Sequence, residues 1–138
     1  MEPDLEKSIA IICPVRGLTK QEDEFLQSYV AALEAMKCKV HYPPRDTDQN
    51  DPIGLAICTQ NKGGIKNAKE VHVYWNSASE GSKFDFGMSF MADKPVVLIN
   101  RDAVQPTPHK SFQNVLLALD AKYRPHATIP EHLYRTPA

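Results

Sequence analysis

The sequence predicts an α/β fold, a parallel sheet with helices packed on both faces. Three observations carry that prediction. Short apolar runs rich in β-branched residues recur along the chain, and segments of helical period lie between them. The joining loops hold most of the Pro, Gly and polar turn formers.

Residues 8–14, "SIAIICP", form a nearly continuous apolar run, the pattern of a strand covered on both faces. Over 20–36 the period changes. Phe25, Leu26, Tyr29, Val30, Leu33 and Met36 fall at helical spacing, and Thr19 stands where a cap belongs. A second strand is predicted over 39–42. Residues 43–52, "PPRDTDQNDP", read as an irregular polar loop. Helix is predicted over 54–68, across Gly63 and Gly64, and strand over 70–75, "EVHVYW". Helix over 82–91 and strand over 94–100, "KPVVLIN", follow, then a Pro-containing loop and a helix over 111–122. Residues 123–138, with Pro125, Pro130 and Pro137, are expected to pack as an irregular arm. No repeat, linker or low-complexity tract divides the 138 residues, so a single three-layer domain over 1–138 is predicted.

Right-handed crossovers leave few topologies for such a chain. In the flavodoxin-like or Rossmann-like order, the first and third strands are neighbours and ligands bind beyond their carboxyl ends. Two loops then meet there, 14–17 and 76–82. The first, in "CPVRG", offers Arg16 as a planar fork for a phosphate and Gly17 for close backbone approach, or simply a surface Arg beside a turn glycine. Cys13 has Thr19, not Arg, six residues on, which excludes a phosphatase-like thiol loop and leaves a buried small side chain. The second, "NSASEGS", offers Ser77, Ser79, Ser82 and amides around Gly81 to an anion, although Ser and Gly also form plain turns. Asp85 follows Ser82 at the spacing of a capping box, so helix capping competes with catalysis as its role.

A formal net charge of −1 argues against general nucleic-acid binding. No apolar run approaches a membrane span, and the polar start "MEPDLEKS" is unlike a secretion signal. With three widely separated cysteines, Cys13, Cys38 and Cys58, a cytoplasmic setting with free thiols is expected. Cys38 and His41 form a C-x-x-H pair with no second pair to complete it, so no metal is expected. His72 lies within a strand pattern and reads as structural.

Taken in order, residues 8–100 resemble the nucleoside 2-deoxyribosyltransferase superfamily, which includes the 2′-deoxynucleoside 5′-monophosphate N-glycosidases. The resemblance rests on the first strand with "CPVRG", on "IKNAKEVHVYW", on "GSKFDFG" in place of a G-x-x-x-E-x-G block, and on "MSFMADKPVVLIN". It implies that Asp85 is the carboxylate that attacks the anomeric carbon of a deoxyribosyl group, giving a glycosyl-enzyme that water or a second base resolves. It also implies that Arg16, Gly17, Ser79 and Gly81 hold a 5′-phosphate, with Ser82 in the same substrate-binding set. The partner implied is a small-molecule nucleoside or nucleotide, with no cofactor. The assembly implied is a homodimer or higher homo-oligomer, for which Tyr134 in the tail is a candidate contact.

Two departures stand out. The family's nucleophile is Glu, one methylene longer, and the acid usually found after Ala in the third-strand motif is Lys69 here. Glu70 is expected on the opposite face, which leaves Asp46, Asp48 or Asp51 to supply a second carboxylate. Trp75 and Tyr42 are candidate walls for a base. Two functions follow from this reading. One is cleavage or transfer of the N-glycosidic bond of a (deoxy)nucleoside or its 5′-monophosphate. The other is a nucleotide-binding or sensing domain that has lost catalysis.

Overall fold

The computed structural model describes residues 4–130. Strands β1 (Asp4–Ile12), β2 (Cys38–His41), β3 (Glu70–Val73) and β4 (Val96–Leu98) form a parallel sheet in the order β2-β1-β3-β4. Helices α1 (Lys20–Ala35), α2 (Pro43–Asp46), α3 (Leu55–Asn67), α4 (Glu80–Met91) and α5 (Phe112–Tyr123) complete the α/β architecture.

Alternation along β1 builds both faces. Ile9, Ile11 and Cys13 pack with Leu26, Tyr29, Val30 and Leu33 of α1. Ala10 and Ile12 pack with Ile65 of α3, Phe86 of α4 and Leu116 of α5. Burial of each such Leu, Ile or Phe contributes about 1.5–3 kcal/mol. The start of α1 is set by a reciprocal cap, in which Thr19 Oγ1 accepts from the Glu22 amide and Glu22 Oε1 from the Thr19 amide, both at 3.0 Å. Glu22 also accepts from the Tyr74 hydroxyl at 2.7 Å, which ties the helix to the segment after β3.

Three local expectations change. The polar loop over 43–52 is not wholly irregular. Pro43 opens the short α2, where a fixed φ suits a first helical turn, and Asp46 Oδ2 accepts from the Tyr42 amide at 2.7 Å. Helix α4 begins at Glu80, two residues before the predicted start. Strand β4 is confined to Val96–Leu98. Elsewhere the elements fall within a few residues of their predicted bounds.

His72 is fully buried. Its Nδ1 lies 2.7 Å from the Tyr29 hydroxyl and its Nε2 lies 2.9 Å from Glu70 Oε1. A proton on Nε2 satisfies both contacts, which agrees with a structural role. Glu70 also accepts from the Thr128 amide at 3.0 Å. Of the arm expected over 123–138, Tyr123 ends α5 and Arg124–His126 forms a 3-10 turn. Residues 131–138, with Tyr134, lie outside the described residues. Among the described residues no helix is long and apolar enough to cross a membrane.

Asp120 anchors α5 to β4. It is 1% exposed, accepts from the Leu98 amide at 2.8 Å and pairs with Arg124 at 2.8 Å. Asp120→Ala removes the acceptor for both groups and is expected to cost about 3–5 kcal/mol in urea unfolding. A loss within the range of an ordinary surface substitution would refute this anchoring role.

Candidate active site

Ile12 lies opposite Val73, so the loops that leave the C-terminal ends of β1 and β3 emerge side by side. The Tyr74 amide extends this pairing by donating to the Ile12 carbonyl at 2.8 Å. Helix α4 starts at the far end of the second loop. Its N-cap is Ser79, whose Oγ accepts from the Ser82 amide at 3.2 Å and whose hydroxyl donates to Ser82 Oγ at 2.9 Å. The capping box expected from Ser82 to Asp85 is therefore not formed. Two serines three residues apart both fit the cap template, and the earlier one takes the position. Asp85 then falls in the second turn, beyond the reach of a cap.

Asp85 is buried, at 8% exposure, and its carboxylate faces α3. Asn61 Nδ2 lies 3.5 Å from its Oδ2, a long hydrogen bond. The Thr47 hydroxyl donates to Asn61 Oδ1 at 2.7 Å, and His41 Nε2 stands 3.4 Å from both of those oxygens. Gly64 makes room for this cluster, because a Cβ there would overlap the His41 ring. Among the described residues no cation pairs with Asp85. Burial alone raises its carboxyl pKa from 3.8 to about 6. The Cys13 thiol is pushed up to about 12, first by burial and then by the nearby Asp85. Cys13 is thus a buried thiol at the end of β1, held protonated rather than poised as a nucleophile.

The other predicted residues lie on the two loops. Arg16 is exposed and makes no ion pair among the described residues. Gly17 has φ +81°, a left-handed conformation, while a Cβ on it would meet nothing within 4 Å. The glycine is thus explained by backbone conformation rather than by crowding. Gly81 is exposed in the first turn of α4, where the Glu80 and Gly81 amides have no helical acceptor. Ser82 points inward, at 2% exposure, so its hydroxyl serves the helix start.

No second carboxylate from the expected set binds at Asp85. Asp46 is engaged by the Tyr42 amide and Arg45, Asp48 by the Asn50 amide, and Asp51 by the Ala56 and Ile57 amides at the start of α3. Lys69 and Glu70 sit at the N-terminal end of β3, about 13 Å of strand away from the crevice. An acid at position 69 would therefore not meet Asp85, whose polar neighbour is the neutral Asn61. Trp75 and Tyr42 are both buried, and Trp75 packs edge-to-face on Phe86 at 6.2 Å between centroids.

Neither Asn61 nor Thr47 is marked by a motif in the sequence, and His41 stands out there only beside Cys38 as half of an incomplete metal pair. Asn61 carried one usable signal. It stands four residues before Ile65, so it occupies the buried face of α3 as a polar residue among apolar ones. Among the described residues no cluster of three His, Cys, Asp or Glu side chains is placed to hold a metal ion. A cavity of about 730 Å³ lies between β2 and the end of α3, lined by Lys39, His41, Gly64 and Lys69. Asp85 does not line it, and it meets the Asp85 cluster only through His41.

No protein-family model matches the sequence, and no curated protein is similar to it at the sequence level. Solved structures are similar in fold. A 2-deoxyribosyltransferase from Bacillus psychrosaccharolyticus superposes with a TM-score of 0.54 and 18% identity, over 66% of this chain and 70% of that one. The CMP N-glycosidase of Clostridium botulinum superposes with a TM-score of 0.50 and 18% identity, over 67% of each chain. The chain thus has the parallel α/β fold that is also found in a deoxyribosyltransferase and in a nucleotide N-glycosidase.

Proposed function

We propose that this protein cleaves or transfers the N-glycosidic bond of a (deoxy)nucleoside or its 5′-monophosphate, with Asp85 as the nucleophile. The observation that carries the proposal is Asp85 itself, a buried carboxylate without a cation partner at the switch point of the sheet. The shared fold supports it, since both similar structures belong to enzymes whose names state that chemistry. In the reaction, ionised Asp85 attacks the anomeric carbon, the carbon–nitrogen bond breaks, and its electron pair leaves with the base. Water or a second base then attacks the same carbon and releases the carboxylate. Arg16 and the free amides at the start of α4, near Gly81, receive the phosphate, while Gly17 and the Ser79 cap shape the two loops.

The alternative, a nucleotide-binding domain without turnover, draws on the short Asp85 side chain. A nucleophile misplaced by about 1 Å costs roughly a hundredfold in rate. A homo-oligomer and a cytoplasmic setting belong to the same proposal. The first is supported by the exposed Phe84, Phe90 and Met91 on α4, and the second by the wide separation of Cys13, Cys38 and Cys58 along the chain. Light scattering is expected to return at least twice the 15.5 kDa chain mass, and a monomer at working concentration would contradict self-association.

Base release or exchange from a panel of nucleosides and 5′-monophosphates tests the reaction. Turnover is expected in the wild type and a loss of about 10³-fold or more in Asp85→Asn. Binding without any turnover would favour the alternative instead. The attacking form is the ionised carboxylate, so kcat/KM should rise with pH through a midpoint near 6.

Stability should move in the opposite direction. The folded protein holds the Asp85 proton more tightly than the unfolded chain, so the cost of ionising it develops as pH rises from 3.8 and is complete above about 6. Asp85→Asn is therefore expected to stabilise the protein at pH 7–8 by about 1–3 kcal/mol and to have little effect near pH 3.5. Destabilisation on this substitution, the signature of a lost cap, would count against the assignment.

A further inference from the structure

We infer that Asn61 is a positioning residue for Asp85, oriented by Thr47 and His41. The inference rests on the reading of Asp85 as the nucleophile. It goes beyond that reading by naming the group that selects which carboxylate oxygen is free to attack.

A side-chain amide has two ends, and here each has a fixed task. Oδ1 of Asn61 accepts from the Thr47 hydroxyl at 2.7 Å and has His41 Nε2 at 3.4 Å. The flipped amide would set Oδ1 against the ionised Asp85 carboxylate, acceptor facing acceptor, so ionised Asp85 favours the orientation with the NH₂ toward it. Nδ2 is thereby directed at Asp85 Oδ2, 3.5 Å away. Oδ1 of Asp85 has no protein partner among the described residues, so it is the oxygen left for the anomeric carbon. Thr47 and Asn61 are 4% and 7% exposed, which keeps competing water from reorienting the amide.

The relay joins three elements. His41 ends β2, Thr47 follows α2, and Asn61 lies within α3, so the position of Asp85 on α4 is registered against the sheet rather than against its own helix. Gly64, one turn along α3 from Asn61, leaves the space in which the His41 ring sits. The titratable groups near Asp85 are the Cys13 thiol at the end of β1 and, through the relay, the His41 imidazole at the end of β2. From α3 only the neutral Asn61 amide reaches it. An amide N–H favours the ionised form of the carboxyl it faces, so removing it should make Asp85 a weaker acid and a less well-placed nucleophile.

Carboxyl-detected NMR titration of Asp85 tests this without relying on turnover. Asn61→Ala is expected to raise the Asp85 pKa by about 0.5–1 unit. Thr47→Val, which keeps the shape and does not touch Asp85, should shift it in the same direction by less. Thr47→Val also serves as the test should Asn61→Ala fail to fold. With an active substrate, kcat should fall about tenfold or more in Asn61→Ala with little change in KM. The midpoint of the pH–rate profile should move up by the same amount as the titration. An unmoved Asp85 pKa in a folded variant overturns the inference. If the pKa moves while the wild type turns over no nucleoside, the relay stands and the proposed reaction fails.

Discussion

Strand β1 pairs with β2 on one side and with β3 on the other; the chain runs from β1 through α1 to β2, then passes back across β1 through α2 and α3 to reach β3. Helix α1 covers one face of the sheet, while α3 and α4 lie against the other. The two loops beyond β1 and β3 are therefore left facing each other with no crossover between them. A crevice at this edge is a geometric result of the strand order. The candidate residues follow that edge: Arg16 and Gly17 after β1, and Ser79, Gly81, Ser82 and Asp85 after β3.

A carboxylate at that edge faces a conflict between packing and charge. Asp85 is carried on the second turn of α4, with its neighbour Phe86 buried among Trp75, Phe90 and Phe112. The aromatic packing keeps the helix in place, while the acid itself lies buried against α3. Among the described residues no cation pairs with it to relieve the desolvation, and the Asn61 amide is neutral and 3.5 Å away. Such an arrangement has no use for stability. The rest of the fold supplies the free energy that holds the acid there.

The strands and most of the helices were legible because their causes are local. The β-branched run of β1, the helical period of α1 and the Thr19–Glu22 cap all lie within a few residues of one another. Ser79 and Ser82 show where local reading stops. Both satisfy the same template, and the choice between them depends on how α4 meets the sheet. Lys69 stands where the resemblance expects an acid, yet strand rise carries that position to the opposite end of the sheet. Asn61 is 24 residues from Asp85 along the chain, and their contact exists only once α3 and α4 lie together. Its polar character on a buried face was the sole trace in the sequence. The family pattern identified the position of Asp85 without revealing what holds it.

Helix α3 has a further consequence for motion. Its buried residues are Asn61 and Ile65, and its ends are tied by Asp51 at the Ala56 and Ile57 amides and by Ser8 and Lys94 at the Asn67 and Lys66 carbonyls. It also contains Gly63 and Gly64, each weakening the helix by roughly 1 kcal/mol relative to Ala. Gly64 is required by the His41 ring, whereas Gly63 has open space around it. With its ends tied and glycines at its centre, the helix is intrinsically weakest in the middle, beside Asn61. The amides there should exchange with solvent sooner than those of the β-strands, so the wall beside Asp85 can open locally without the sheet.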